Sequence, residues 1–156
     1  MQRIFITGDT HGVIKRLGSQ NFPEGKELCK KDYVIILGDF GLLWRHSRDD
    51  YEDYWLKWLD DKPWTTLFLD GNHENFDIIN RLPKKELFGK PVGIVGHSIF
   101  HLKRGMVYHI DDKNILTIGG AHSHDRQYRS WGSSIWIDEE ITEAEINRAF
   151  TQLVLY

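Results

Sequence analysis

Three short runs rich in β-branched and aromatic residues each break into a turn carrying metal-ligating side chains, and this pattern limits the fold more than any other feature. Arg3-Ile4-Phe5-Ile6-Thr7 leads into Gly8-Asp9-Thr10-His11. Asp32-Tyr33-Val34-Ile35-Ile36-Leu37 leads into Gly38-Asp39-Phe40, and Thr65-Thr66-Leu67-Phe68-Leu69-Asp70 into Gly71-Asn72-His73-Glu74. Segments that read as helices alternate with the runs, which predicts βαβ units and a largely parallel sheet. Ligands of open α/β sheets sit outside the carboxyl ends of the strands. Three parallel strands therefore deliver Asp9, His11, Asp39, Asn72 and His73 to one edge, a set of side chains suited to metal-assisted chemistry.

The clearest helix lies between the second and third runs. Tyr51, Tyr54, Trp55, Trp58 and Leu59 recur at helical spacing and predict its apolar stripe. Asp49, Asp50, Glu52 and Asp53 favour its N-terminus, and Pro63 closes the segment. Phe76, Ile78, Ile79 and Leu82 predict a shorter helix that stops before Pro83. After about Gly89 the character changes. Val92–Val95, Ile99–Leu102, Met106–Ile110 and Ile115–Ile118 read as a β-meander flanking the parallel core, with a hairpin turn at Asp111-Asp112-Lys113-Asn114. A loop from Gly119 to Gly132 follows, and Thr142-Glu143-Ala144-Glu145 is a capping box that opens a final helix running to Tyr156.

Composition narrows the function classes. The 156 residues are expected to form one domain with a proper core. The net charge of −3 gives no general attraction to nucleic acid or to anionic membranes. One cysteine, Cys29, excludes an internal disulfide framework. No apolar run approaches the roughly 20 residues that span a bilayer, and the start enters a strand pattern without a signal-peptide core. A cytoplasmic address is the expectation.

The residue types explain the chemistry expected of the turns. Asp-x-His sets a hard oxygen and an imidazole two residues apart, a mixture that suits Mn, Fe or Zn. Asp39 arrives from the next strand, and its two oxygens allow one carboxylate to bridge two cations. Asn72 offers a neutral carbonyl oxygen. Two divalent ions about 3.5–4 Å apart can activate a water and clamp an in-line displacement, and His73 would stand over the substrate as an acid. Singly, Asp-x-His and Gly-Asp are ordinary turn sequences. Gly71-Asn72-His73-Glu74 is more specific, and the three in order, each after its own strand, make a purely structural reading improbable.

These residues resemble the calcineurin-like metallophosphoesterase family, whose motifs are Asp-x-His, Gly-Asp and Gly-Asn-His-Glu/Asp, each after a strand. The resemblance implies an α/β fold, a layered metallophosphoesterase-type sandwich with a parallel β-α-β core. It implies two divalent metal ions, with Asp9 and His11 on one, Asn72 on the other and Asp39 between them. It further implies His73 as the catalytic histidine, a metal-bound hydroxide as nucleophile and a phosphate mono- or diester as substrate. The second motif continues Phe40-Gly41-Leu42-Leu43-Trp44, which differs from the protein-phosphatase branch.

The family has two further histidine elements, and two placements of them compete. In one, the chain resembles compact bacterial phosphodiesterases: His97 supplies the lone histidine, and His122 with His124 replaces Gly-His-x-His. In the other, favoured here, stretches such as Ile99–Gly105, Gly119–Asp125 and Trp136–Glu140 resemble a longer bacterial and phage branch. The missing elements then lie beyond Tyr156, and the chain is a partial member. The rival expectation is a domain without turnover that binds a metal, a nucleotide or a partner; a third is an enzyme completed by a homo-oligomer or a second chain. His101 and His109 read as sheet-face residues, His46 as surface, and Arg104, Arg126 and Arg129 as solvated arginines. The six tryptophans read as packing.

Overall fold

The computed structural model describes residues 2–154. Its centre is a six-stranded sheet containing β1 (Ile4–Gly8), β2 (Tyr33–Leu37), β3 (Thr65–Leu69), β4 (Lys84–Leu87), β5 (Lys90–Ile94) and β6 (Ile99–Leu102). The spatial order is β1-β2-β3-β6-β5-β4, and β1, β2, β3 and β6 run parallel. In register, Gly8 faces Leu37 and Leu37 faces Leu69, so the three motif turns leave the sheet at one level. β7 (Met106–Ile110) and β8 (Lys113–Thr117) form a separate antiparallel hairpin.

The apolar alternation of the strands builds two cores. Val34, Ile36, Phe68 and Ile99 face one side, where they meet Ile14, Leu42, Leu56, Leu59 and Trp64. Ile35, Leu67, Leu69, Phe100 and Leu102 face the other and pack on Tyr108 and Ile110 of the hairpin. Helix α1 (Asp50–Asp60) and the single-turn α2 (Phe76–Ile79) belong to the first side. α3 (Glu143–Val154) lies across β7 and β8. Its capping box forms: Thr142 Oγ1 accepts from Glu145 N at 3.2 Å, and Glu145 returns a carboxylate to Thr142 N at 2.8 Å. The extension of this helix to Tyr156 lies outside the described residues.

Several expectations change. The connection from β1 to β2 carries two short 3-10 helices, Ile14–Leu17 and Pro23–Glu27, in place of the expected α-helix. The β-rich second half divides between two sheets, because β5 and β6 join the main one and only β7 and β8 stand apart. β4 is an addition to the expected elements: Lys84, Lys85 and Glu86 are exposed, and such charges suit an edge strand that resists further pairing. The buried face of α1 is rotated from the predicted stripe. Tyr51 and Tyr54 are exposed, while Glu52, Leu56 and Leu59 are buried. Glu52 turns inward because its Oε1 accepts from Trp44 N at 2.8 Å and Arg45 N at 3.2 Å, and Tyr51 reaches Gly12 O through its hydroxyl at 2.9 Å.

Candidate metal centre

The turns after β1 and β2 are locked together. His11 N donates to Asp39 O at 2.7 Å and Gly12 N to Phe40 O at 3.0 Å. Buried Thr10 adds its hydroxyl, donated to Phe40 O at 2.8 Å. Asp9, His11 and Asp39 all adopt left-handed backbone, with φ of 46°, 43° and 47°. Such conformations cost about 1–3 kcal/mol each and persist where surrounding contacts over-determine them. Here the cross-turn bonds do so, and the outcome is three ligand-type side chains brought together.

Asp9, His11 and Asp39 can each place one ligand atom within 4.8 Å of the others. His11 Nε2 lies 3.4 Å from Asp39 Oδ2. Asp39 Oδ1 accepts from His73 N at 3.0 Å and keeps its second lone pair. Two carboxylates and an imidazole at this separation fit one divalent cation of the Mn, Fe or Zn type. The cleft, about 270 Å³, is lined by Asp9, Asp39, Asn72 and the Gly119–Ala121 backbone. The His73 ring stands edge-on to that of His11 with centroids 5.5 Å apart, beside the cluster and half-buried. Asn72 also borders the cleft, with its Nδ2 donating to Ser123 Oγ at 2.9 Å.

The remaining histidines fall in three places. His97 precedes β6, and because β6 is parallel to β3 its leading loop lies at the sheet edge opposite the cleft. Asp60 pins it there, accepting from His97 N at 3.0 Å and Ser98 N at 2.6 Å. The structure therefore does not bring His97 to the other candidate ligands. His122 and His124 flank Ser123 on the loop bordering the cleft, yet both are exposed, and His122 Nδ1 contacts Glu140 Oε1 at 2.8 Å.

Next to the turns lie buried ionisable groups. Glu74 is fully buried, and its Oε1 accepts from Phe40 N at 2.7 Å, tying the third turn to the second. Burial, with a further push from Asp70 and Asp39, holds this carboxyl well above the usual carboxylate range. Asp70 is also buried. Desolvation would raise it, but a 2.7 Å contact to His101 Nε2 and an ion pair with Arg104 prevail and hold it below its ordinary value. Arg104 and Arg129 are thus buried ion-pair partners and not the solvated arginines expected. Ser123 and Glu139 lie in stretches read from the sequence only as a family resemblance and Asp70 only as a strand end, and their partners emerge in three dimensions.

The family profile for calcineurin-like phosphoesterases matches residues 2–151. No curated protein and no solved structure matches the chain. With three motif turns at one sheet edge and a family match over nearly its whole length, the chain belongs to the calcineurin-like phosphoesterase family.

Proposed function

We propose that this protein hydrolyses a phosphate mono- or diester at the edge of β1, β2 and β3, with two divalent cations as cofactors. The observation that carries the reading is the convergence of Asp9, His11 and Asp39 within 4.8 Å, with the His73 ring alongside. Cations held by Asp9, His11, Asp39 and Asn72 would polarise phosphoryl oxygens and acidify a water for attack. Asp39 stands between the two candidate ligand groups, since its turn is bonded to that of His11 and its carboxylate to that of Asn72-His73. His73 is placed to donate a proton to the leaving oxygen, or a hydrogen bond to the phosphoryl group as charge grows. The exposed cleft mouth, with Asp9 and His11 open to solvent, suits a substrate arriving from bulk water.

The test is hydrolysis of bis(p-nitrophenyl) phosphate and p-nitrophenyl phosphate with added manganese, alongside elemental counting of bound metal. Manganese-dependent turnover that is lost in Asp39→Ala, with His73→Ala slowing these activated esters only in part, supports the reading. A folded, metal-loaded chain with no turnover on either ester overturns it.

One observation favours the alternative of a binding module or an enzyme completed by another chain. Leu37 and Ile118, which line the cleft, expose 48% and 58% of their surface, and Ile6 on β1 exposes 65%. An apolar sheet face left this open invites a further layer. Sedimentation of the chain over a concentration series, read beside the activity assay, separates self-completion from a monomer without turnover.

A further inference from the structure

We propose that Ser123, held by the buried pair Arg129–Glu139, is a positioning residue that sets which way the Asn72 amide faces. The inference rests on the metal-centre reading above. Ser123 is buried and its hydroxyl makes three contacts. It donates to Glu139 Oε2 at 2.6 Å, and it receives Arg129 Nη1 at 2.6 Å and Asn72 Nδ2 at 2.9 Å. A hydroxyl has one proton and two lone pairs. A carboxylate has no proton to give and a guanidinium has no lone pair to offer. The serine proton is therefore committed to Glu139, and both lone pairs must face donors.

The group of Asn72 that meets Ser123 can then only be its NH₂. The two ends of an amide are nearly equal in shape, and it is the hydrogen-bond network that distinguishes them. With the nitrogen engaged, the carbonyl oxygen is the end left for a cation in the cleft. Reversal would set the amide oxygen against the serine lone pairs and present an NH₂ to the cation.

Burial makes the device rigid. Glu139 is fully buried and the Arg129 side chain is 7% exposed, with Nη2 3.0 Å from Glu139 Oε1. Glu139 Oε1 also accepts from Trp136 N at 3.3 Å. A buried ion pair adds little net stability, but deleting one member is severe because the other is stranded. The pair therefore constrains the hydroxyl strongly. Loss of that hydroxyl alone leaves the ion pair in place, so Ser123→Ala is expected to fold.

Manganese titration by calorimetry tests this in four proteins: the parent chain, Ser123→Ala, Asn72→Asp and the double variant. An aspartate presents an oxygen from either end and needs no orienting donor. In the parent background, Ser123→Ala is expected to weaken binding about tenfold, within the range seen for groups supporting metal ligands. In the Asn72→Asp background the same change is expected to be within about twofold, the ordinary scatter of independent sites. Equal losses in both backgrounds, or none in the parent, would overturn the assignment while leaving the metal centre intact. A parent chain that binds no manganese would overturn both. Independently of any metal, the Asn72 side-chain amide signals in a proton–nitrogen spectrum are expected to move in Ser123→Ala. Unmoved signals would show that the bond is not made.

Discussion

The Asp39 carboxylate lies against the backbone of Gly71, where a single methyl group would overlap both its side chain and its amide. The second motif supplies the carboxylate and the third supplies the space for it. Asp39 Oδ1 then accepts from His73 N at 3.0 Å, two residues past that glycine. The glycine is required by this close approach and not by a turn angle.

Gly71→Ala is therefore expected to displace the carboxylate. Overpacking of this kind typically costs about 1–3 kcal/mol. Thermal unfolding should show the loss of stability, and manganese titration a weakened site in the fraction that remains folded. Full retention of both would mean that the turn relaxes without moving Asp39.

His73 beside His11 predicts a leaving-group dependence. If His73 protonates the departing oxygen, His73→Ala should slow a phenyl or alkyl ester by about 10²–10⁴-fold. It should slow a p-nitrophenyl ester much less, because that oxygen leaves readily without a proton. Rates for a series of esters at saturating manganese check this, and an equal loss across the series would move His73 from acid to charge stabiliser.

Arg104→Met should be among the most destabilising single changes outside the apolar cores. Its guanidinium pairs with Asp70 and also donates to Glu140 O at 3.1 Å, while Asp70 is only 3% exposed. Removing one partner strands a buried charge at a cost of about 3–5 kcal/mol. Urea unfolding of both proteins at neutral pH is the measurement. Asp70→Asn in the Arg104→Met background should restore part of the loss.

Acid should weaken the anchoring of the N-terminal strand by Asp32. Asp32 accepts from Arg3 Nη2 at 3.1 Å, Arg3 N at 2.8 Å and Cys29 N at 2.8 Å. These bonds, the arginine side chain foremost, hold its carboxyl far below the usual range. A depressed carboxylate contributes stability that is complete above its unfolded value, about pH 4, and is lost as the pH falls below it. Stability measured from pH 6 downward should therefore decline more steeply in the parent chain than in Asp32→Asn. Parallel curves would remove Asp32 as a source of acid sensitivity.

Much of the fold and of the site is legible in the residues alone. The strand patterns of β1, β2, β3, β6 and β7, the helix after Asp49 and the capping box at Thr142 are local signals, and each forms as its residues require. The rotated face of α1 is not legible, because Glu52 is polar and is buried only by two amides that arrive from the Trp44–Arg45 turn. Nor is β4, because a run of Lys and Glu has no apolar alternation, and only its pairing with β5 makes it a strand.

The sequence by itself determined the chemistry on offer: an Asp-x-His, a Gly-Asp and a Gly-Asn-His-Glu, each at the end of an apolar run and so at the end of a strand. Residue type and local periodicity suffice for that, since both act over a few neighbours. Tertiary structure alone decided which histidines meet at the candidate metal centre. It set His97 at the far edge through the direction of β6, and it brought Ser123 to Asn72 across 51 positions of chain. It also buried the side chains of Arg104 and Arg129, which read from the sequence as solvated, against Asp70 and Glu139. The physical reason is common to all three: strand direction, burial and hydrogen-bond partners are set by segments distant in the chain, and no local window contains them.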